Sequence, residues 1–234
     1  MNHAVACVVF VFAAVMTIAA QSPDAPLLAS VDHLVYATPD LQAGIERIER
    51  TLGVRATPGG QHPGRGTRNA LVALGPSSYL EIIGPDRDQP QPAQPRPFGI
   101  DGLTAPRLVT WAAKARDLER LIADAHRAGI RIGALAEGSR RRADGVLLAW
   151  RYSDPQTVVA DGVVPFFIDW GTTPHPSATS TRGATLRGLA AEHPDPGAVQ
   201  TALEQLRIDL PVTRGSRPAL VATIDTPGGV VQLR

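Results

Sequence analysis

The chain has 234 residues and a formal net charge of +1, enough length to bury a substantial core in one large domain or two small ones. That balance offers no surplus of positive charge to a nucleic-acid backbone and no acidic run to a basic partner, so a nucleic-acid function is not expected. The single cysteine, Cys7, lies in the apolar N-terminal stretch, so neither a disulfide nor a cysteine-ligated metal is expected in the rest of the chain.

Residues 1–20, MNHAVACVVFVFAAVMTIAA, carry no Asp, Glu, Lys or Arg and end in small residues before the polar QSPDAP segment. The pattern reads as a secretory leader, with an uncleaved membrane anchor as the alternative because the stretch approaches spanning length. The expected location is therefore exported, periplasmic or extracellular, or membrane-tethered.

From there one strand-to-helix phrase recurs three times: HLVYATPDLQAGIERIERTLG, RLVTWAAKARDLERLIADAHRAG and TLRGLAAEHPDPGAVQTALEQL. Asp40, Asp117 and Asp195 mark the same point in each, 117 − 40 = 77 and 195 − 117 = 78 residues apart. Leu41, Ile45, Ile48 and Leu52 fall on one helical face in the first copy, as Leu118, Leu121, Ile122 and Ala125 do in the second. Gly53 and Gly129 stand where a left-handed residue would end each helix. The strand-length runs NALVAL and SYLEII follow the first helix, and GVLLAW and VPFFIDW the second. This organisation predicts a βαβββ unit over 28–85, a second over 107–171 and a partial third over 182–234, whose remaining strands are ALVATID and GVVQL. The proline-rich segment 86–106 reads as an extended surface linker, and GTTPHPSATST as a second linker.

Within this frame the stretch GGQHPGRGTRNAL, residues 59–71, gathers a histidine, two arginines and four glycines. It lacks the lysine of a phosphate loop and leads into a strand instead of a helix, so phosphate cradling is disfavoured. It is expected along the rim of a small-molecule site, with His62, Arg68 and Asn69 as its candidate binding residues. The run SRRRADG, residues 139–145, reads as a hairpin tip, either solvated or with one arginine, such as Arg141, turned inward to clamp an anion. Trp111, Trp150 and Trp170 lie on second-unit strands, as packing or as an aromatic wall around a ligand, with Trp150 the binding candidate. No G-x-S-x-G turn supports a serine hydrolase.

Paired βαβββ units, with the phrases DHLVYATPDL, GGQHPGRGTRNALVALG, YLEIIG, GSRRRADGVLLAW and VPFFIDWGTTPHP in this order, resemble the glyoxalase-like domain family of the vicinal oxygen chelate superfamily. That superfamily includes glyoxalase I, extradiol dioxygenases and bleomycin-resistance proteins. The resemblance implies an α+β fold in which the paired units form a cupped mixed sheet. It also implies a divalent ion (Zn, Mn or Fe) held by a His from the first strand of a unit and a carboxylate from the last. His33, Glu81 and Asp169 take those places, with Glu81 or Asp169 also expected as the catalytic base. Seven residues before the aspartate marks stand His33, Thr110 and Gly188, so the second unit offers only Thr110 as a ligand, and His62 or His175 is the candidate replacement. The chain is then either a metal-dependent enzyme on a small oxygenated substrate or a metal-free protein that sequesters a small molecule, with Arg68, Arg141 or Arg142 pairing the carboxylates. A third reading is an interaction module whose partial third unit completes its sheet with a partner chain, and a homodimer is left open.

Overall fold

Asp40, Asp117 and Asp195 each cap a helix, which is why they mark the repeat. Their carboxylates accept hydrogen bonds from the backbone N–H groups of Ala43 (3.1 Å), Arg120 (3.1 Å) and Ala198 (3.3 Å). These bonds satisfy donors that a helix start leaves open and set negative charge at the positive end of the helix dipole. The computed structural model describes residues 25–142 and 145–234; the leader reading, with Cys7, lies outside the described residues. Among the described residues no helix is long and apolar enough to cross a membrane.

A short helix α1 (Ala25–Ser30) leads into the first unit: β1 (Val31–Ala37), α2 (Leu41–Leu52), β2 (Thr57–His62), β3 (Thr67–Gly75) and β4 (Ser78–Pro85). The second unit repeats the order with β5 (Arg107–Lys114), α3 (Leu118–Arg127), β6 (Leu135–Arg141), β7 (Leu147–Ser153) and β8 (Phe166–Asp169). All eight strands join one sheet in the order β2-β3-β4-β1-β5-β8-β7-β6. The first strand of each unit pairs parallel with its last, and β1 and β5 meet antiparallel at the centre. The sheet curls until its edges approach: Arg140 on β6 donates to the Gly59 carbonyl on β2. The result is a nearly closed cup.

The amphipathic helices cover the outer side. Ile48 and Leu52 of α2, and Ile122 and Ala125 of α3, pack with Leu34, Tyr36, Leu80, Ile82 and Trp111 into one core. Full burial of each large aliphatic side chain stabilises by about 1.5–3 kcal/mol. Gly53 ends α2 at φ 63°, a left-handed turn in which its N–H closes on the Glu49 carbonyl. Trp111 belongs wholly to this core, with its indole N–H donating to the Val163 carbonyl (2.9 Å).

Two features differ from the sequence expectation. The third segment consists of β9 (Thr185–His193), α4 (Pro196–Gln205), β10 (Val212–Arg214), β11 (Ala219–Thr226) and β12 (Gly229–Leu233). It shares the helix cap but not the pairing: β9 runs parallel to the short β10 and antiparallel to β11, in a separate sheet ordered β10-β9-β11-β12. Its inner residues Leu189, Ala222 and Ile224 join the same outer core, so this sheet packs on the helix-bearing side of the cup. The proline-rich segment, for its part, does not stay extended on the surface. It folds over the cup mouth in a 3-10 turn (Pro97–Gly102), burying Ile100 and laying Phe98 against Phe166 with ring centroids 6.0 Å apart. Gln89 donates to the Thr67 carbonyl, and Arg96 Nε to the Gly66 carbonyl, both at 2.9 Å, which fastens the strap to the rim. Phe98 sits at φ 62°, a left-handed conformation that is costly for a bulky residue and that its ring contact over the cup helps to hold.

Candidate functional site

The centre of the cup is built on an irregularity in β1. Val31 faces Ala113 and His33 faces Ala112, so Asp32 is an extra residue in the β1–β5 ladder. Adjacent side chains in a regular strand point to opposite faces; the bulge breaks that alternation and lets the Asp32 carboxylate reach the ring of its own neighbour. The second unit carries the same bulge at Val109, between the pairs Val35 with Thr110 and Tyr36 with Leu108, and 109 − 32 = 77 is the repeat spacing.

Asp32 is fully buried and accepts from three side chains: His33 Nδ1 (2.7 Å), His175 Nε2 (3.2 Å) and Trp170 Nε1 (3.1 Å). Burial alone favours the neutral acid, but the hydrogen bonds and charges of His175 and His33 outweigh it and hold the Asp32 pKa well below the ordinary carboxylate range. With Nδ1–H committed to Asp32, the Nε2 of His33 faces the cup, 3.8 Å from Glu81 Oε2. The His33 ring stacks on Tyr79 at 4.6 Å and 16°. Tyr79 keeps its hydroxyl proton, because burial and the neighbouring Asp32 and Glu81 charges raise its pKa well above the usual value.

Glu81 is oriented from the other side by Asn69, whose amide nitrogen donates to Oε1 (2.6 Å) and lies 3.4 Å from His62 Nε2. This arrangement assigns His62 Nε2 as an acceptor and Nδ1–H as the donor to Thr67 Oγ1 (3.0 Å). Burial lowers the His62 pKa, with Arg140 and Arg65 adding to the effect against Glu81 and Asp86, so the ring is neutral at pH 7. The glycine before this network is needed for space. A side chain at Gly59 would fall on the Asn69 amide oxygen.

His33, Tyr79, Glu81, Asn69, His62 and Thr67 line a cavity of about 290 Å³. Much of the remaining lining is aromatic, formed by Phe98, Trp150, Phe166 and Trp170: Phe166 meets the His33 ring edge-on at 5.5 Å, and Trp150 and Trp170 are 5.2 Å apart. Trp150 lies directly over Gly138, where a Cβ would stand 2.5 Å from the indole. Two guanidinium groups complete the lining. Arg65 donates to Tyr152 OH (3.1 Å), and Arg140, only 4% exposed, donates to the Gly59 carbonyl.

The structure brings His33, His62, Asn69, Glu81, Trp150 and Trp170 to this one cavity and leaves Asp169, Arg68, Arg141, Thr110, Trp111 and His175 outside it. Asp169 is corrected first. Phe166, Ile168 and Trp170 point inward, so Asp169 faces the helix side, where it sits beside Arg151 and accepts from the Gly171 N–H (2.8 Å). In β8 it is Phe166 that stands opposite Ala112, where the first unit sets Glu81 opposite Val35, and 112 − 35 = 77. Arg68 faces outward and pairs with Asp86 (3.5 Å) and Asp88 (3.2 Å). Arg141 is exposed and bonds the Gly145 carbonyl (2.7 Å); strand alternation turns Arg140 inward instead. Thr110 lies against Gly162 in the adjoining groove, and His175 backs Asp32 without lining the cup.

These placements bear on a metal. His33 Nε2 (3.8 Å) and His62 Nε2 (3.9 Å) approach opposite oxygens of Glu81, but His62 Nε2 faces the Asn69 amide nitrogen at 3.4 Å, and the matching second-unit positions are Thr110 and Phe166. Among the described residues no three His, Cys, Asp or Glu side chains converge as a ligand set. The donor set therefore does not fit the three or four protein ligands that a divalent ion of this kind requires.

Sequence reasoning missed Asp32, Arg65, Tyr79, Phe98, Arg140 and Tyr152. Asp32 adjoins His33 in the DHL motif, but only the bulge shows that both act at one place. Arg140 could have been found by counting alternate residues along β6 from Gly138.

Structural comparison finds the fold elsewhere. A hypothetical protein from Staphylococcus aureus superposes with a TM-score of 0.57 at 12% identity, covering 86% of this chain and 84% of its own. Methylmalonyl-CoA epimerase from Mycobacterium tuberculosis is similar at 22% identity and a TM-score of 0.42, over 65% of this chain and 94% of that one. A methylmalonyl-CoA epimerase in complex with methylmalonyl-CoA and NH4+ gives 20% identity and a TM-score of 0.43, over 63% and 98%. No curated protein sequence matches the chain. The family model for the glyoxalase-like domain matches residues 31–207, taking in both βαβββ units and the first strand and helix of the third segment, and the chain therefore belongs to the glyoxalase-like domain family of the vicinal oxygen chelate superfamily.

Proposed function

We propose that the cup binds a small carbonyl compound and moves a proton at the carbon next to the carbonyl, with His33 as the base and Glu81 beside it. The observation that carries this reading is the Asp32–His33–Glu81 line: an ionised buried carboxylate fixes the imidazole tautomer, and Nε2 opens into the cavity 3.8 Å from a second carboxylate. A carboxylate behind an imidazole stabilises the imidazolium formed when Nε2 takes a proton. Glu81 does the same from the cavity side. The negative charge that develops on the carbonyl oxygen needs a donor, and the protonated Tyr79 hydroxyl and the two arginines lining the cavity are the candidates. Asn69 holds Glu81 in place. No step here draws on a metal, because the donor set does not fit one.

The test is deuterium exchange in D2O, followed by proton NMR, with 4-oxo-4-phenylbutanoate, levulinate and acetophenone as probes. The wild-type protein is expected to speed loss of the signal from hydrogens adjacent to the ketone for at least one probe. His33→Ala and Glu81→Gln are expected to return the rate to that of buffer. Exchange no faster than buffer for all three would overturn the proton-transfer reading, and binding without exchange would make the cup a sequestering site.

A further inference from the structure

The two units contribute chemically different halves to the cup. The first supplies the polar half, with His33, Glu81 and Arg65; the second and the strap supply rings, with Phe166, Trp150 and Phe98. Between the halves stands Arg140, and its position is unusual. It is 4% exposed, and among the described residues its side chain makes one hydrogen bond, to an uncharged carbonyl, and no ion pair. A buried guanidinium has five donors to satisfy, and burial of a charge is costly unless an opposite charge meets it. Glu81 attracts it across the cavity but does not bond it, being held by Asn69. Arg65, half-buried at the mouth, is bonded among the described residues only to the neutral hydroxyl of Tyr152 through its side chain.

We infer that the cup's ligand is an aryl carboxylate: a small molecule whose carboxylate is met by Arg140 and Arg65 and whose ring lies on the Trp150 and Phe98 wall. A guanidinium matches a carboxylate with two parallel N–H···O bonds, so one anionic group supplies the counter-charge that Arg140 lacks. The cavity of about 290 Å³ is at the small end for ligand sites, which suits one ring with a short chain. The strained backbone at Phe98 is consistent with a side chain held in place for contact. The ring specifies the apolar half and the carboxylate the cationic end, which leaves the middle of the ligand before His33. This assignment rests on the proton-transfer reading only for that last point.

The experiment measures binding to the wild-type protein by tryptophan fluorescence and calorimetry for three probes: 4-oxo-4-phenylbutanoate, its methyl ester, and the ring-free levulinate. The acid is expected to bind roughly tenfold to a hundredfold more tightly than the ester, the range for a hydrogen-bonded charge pair, and more tightly than levulinate. Arg140→Gln is expected to abolish the preference for acid over ester. Because Arg140 also ties β6 to β2, Arg65→Gln serves as the second variant and is expected to reduce the preference in part. Equal binding of acid and ester by the wild type overturns the carboxylate assignment, equal binding of acid and levulinate overturns the ring assignment, and failure of all three to bind overturns both. A preference for the aryl acid without deuterium exchange supports this inference and removes the proton-transfer reading; exchange without the preference does the reverse.

Discussion

Replacing Asp32 with Asn keeps the shape of the side chain and removes its charge at the point where three donors converge. His33, His175 and Trp170 all donate to it, and an amide has one acceptor where the carboxylate has two, so at least one donor must face the new NH2 group. A hydrogen bond to a charged group contributes about 1.5–3 kcal/mol, and removing one member of a buried charged network costs about 3–5 kcal/mol. A loss of about 3 kcal/mol is therefore expected. At roughly 2–4 °C per kcal/mol for a chain of this size, the melting temperature should fall by about 6–12 °C. The folded-state pKa of Asp32 is depressed below its ordinary value of 3.8, so its contribution is fully present above that value and is lost only as the pH falls below it. The difference between wild type and Asp32→Asn should thus be constant from pH 8 to about pH 5 and shrink in stronger acid. Thermal melts followed by circular dichroism across that range measure it. A melting temperature within about 2 °C of wild type at pH 7 would show that Asp32 is not the hub described here.

Other consequences follow from the same geometry. Burial holds the His62 pKa below 6.5, so the unfolded chain takes up this proton first, and stability should decline as the pH falls through that value; urea midpoints at pH 7.5 and 5.5 should converge in His62→Gln relative to wild type. Gly138→Ala puts a methyl group into the Trp150 indole and should cost about 1–3 kcal/mol while pushing the ring into the cup, seen as changed tryptophan emission and weaker binding of 4-oxo-4-phenylbutanoate. Dialysis against EDTA should leave the melting temperature and probe binding unchanged, and adding Zn²⁺ or Mn²⁺ should restore nothing; a metal-dependent rise in either would mean that His62 or another donor is released from its present bond to complete a ligand set.

Much of the frame was legible because it rests on local chemistry. Asp40, Asp117 and Asp195 are helix caps whose spacing is the repeat itself, and the apolar faces of α2 and α3 are set by helical period alone. His33 and Glu81 were named through the family resemblance, as the histidine of a unit's first strand and the carboxylate of its last, and both line the cavity. Asp169 misled because FID and YLE match as aromatic, aliphatic and acid, whereas the direction of a side chain depends on strand register, and register sets Phe166 where Glu81 has its counterpart. Arg141 was preferred to Arg140 for the same reason, since one step along β6 exchanges inside for outside. The bulge at Asp32 exists only through the pairing of β1 with β5. Nor could composition show that the proline-rich segment returns to the rim, because its fastening depends on Gln89 and Arg96 meeting the carbonyls of Thr67 and Gly66.

The most direct test is a crystal structure with 4-oxo-4-phenylbutanoate bound. The ring is expected against Trp150 and Phe98, the carboxylate on Arg140, and the carbon next to the ketone about 3–3.5 Å from His33 Nε2, the separation of reacting atoms. A ligand seated outside the cup, or one whose ketone lies away from both His33 and Glu81, would contradict this placement.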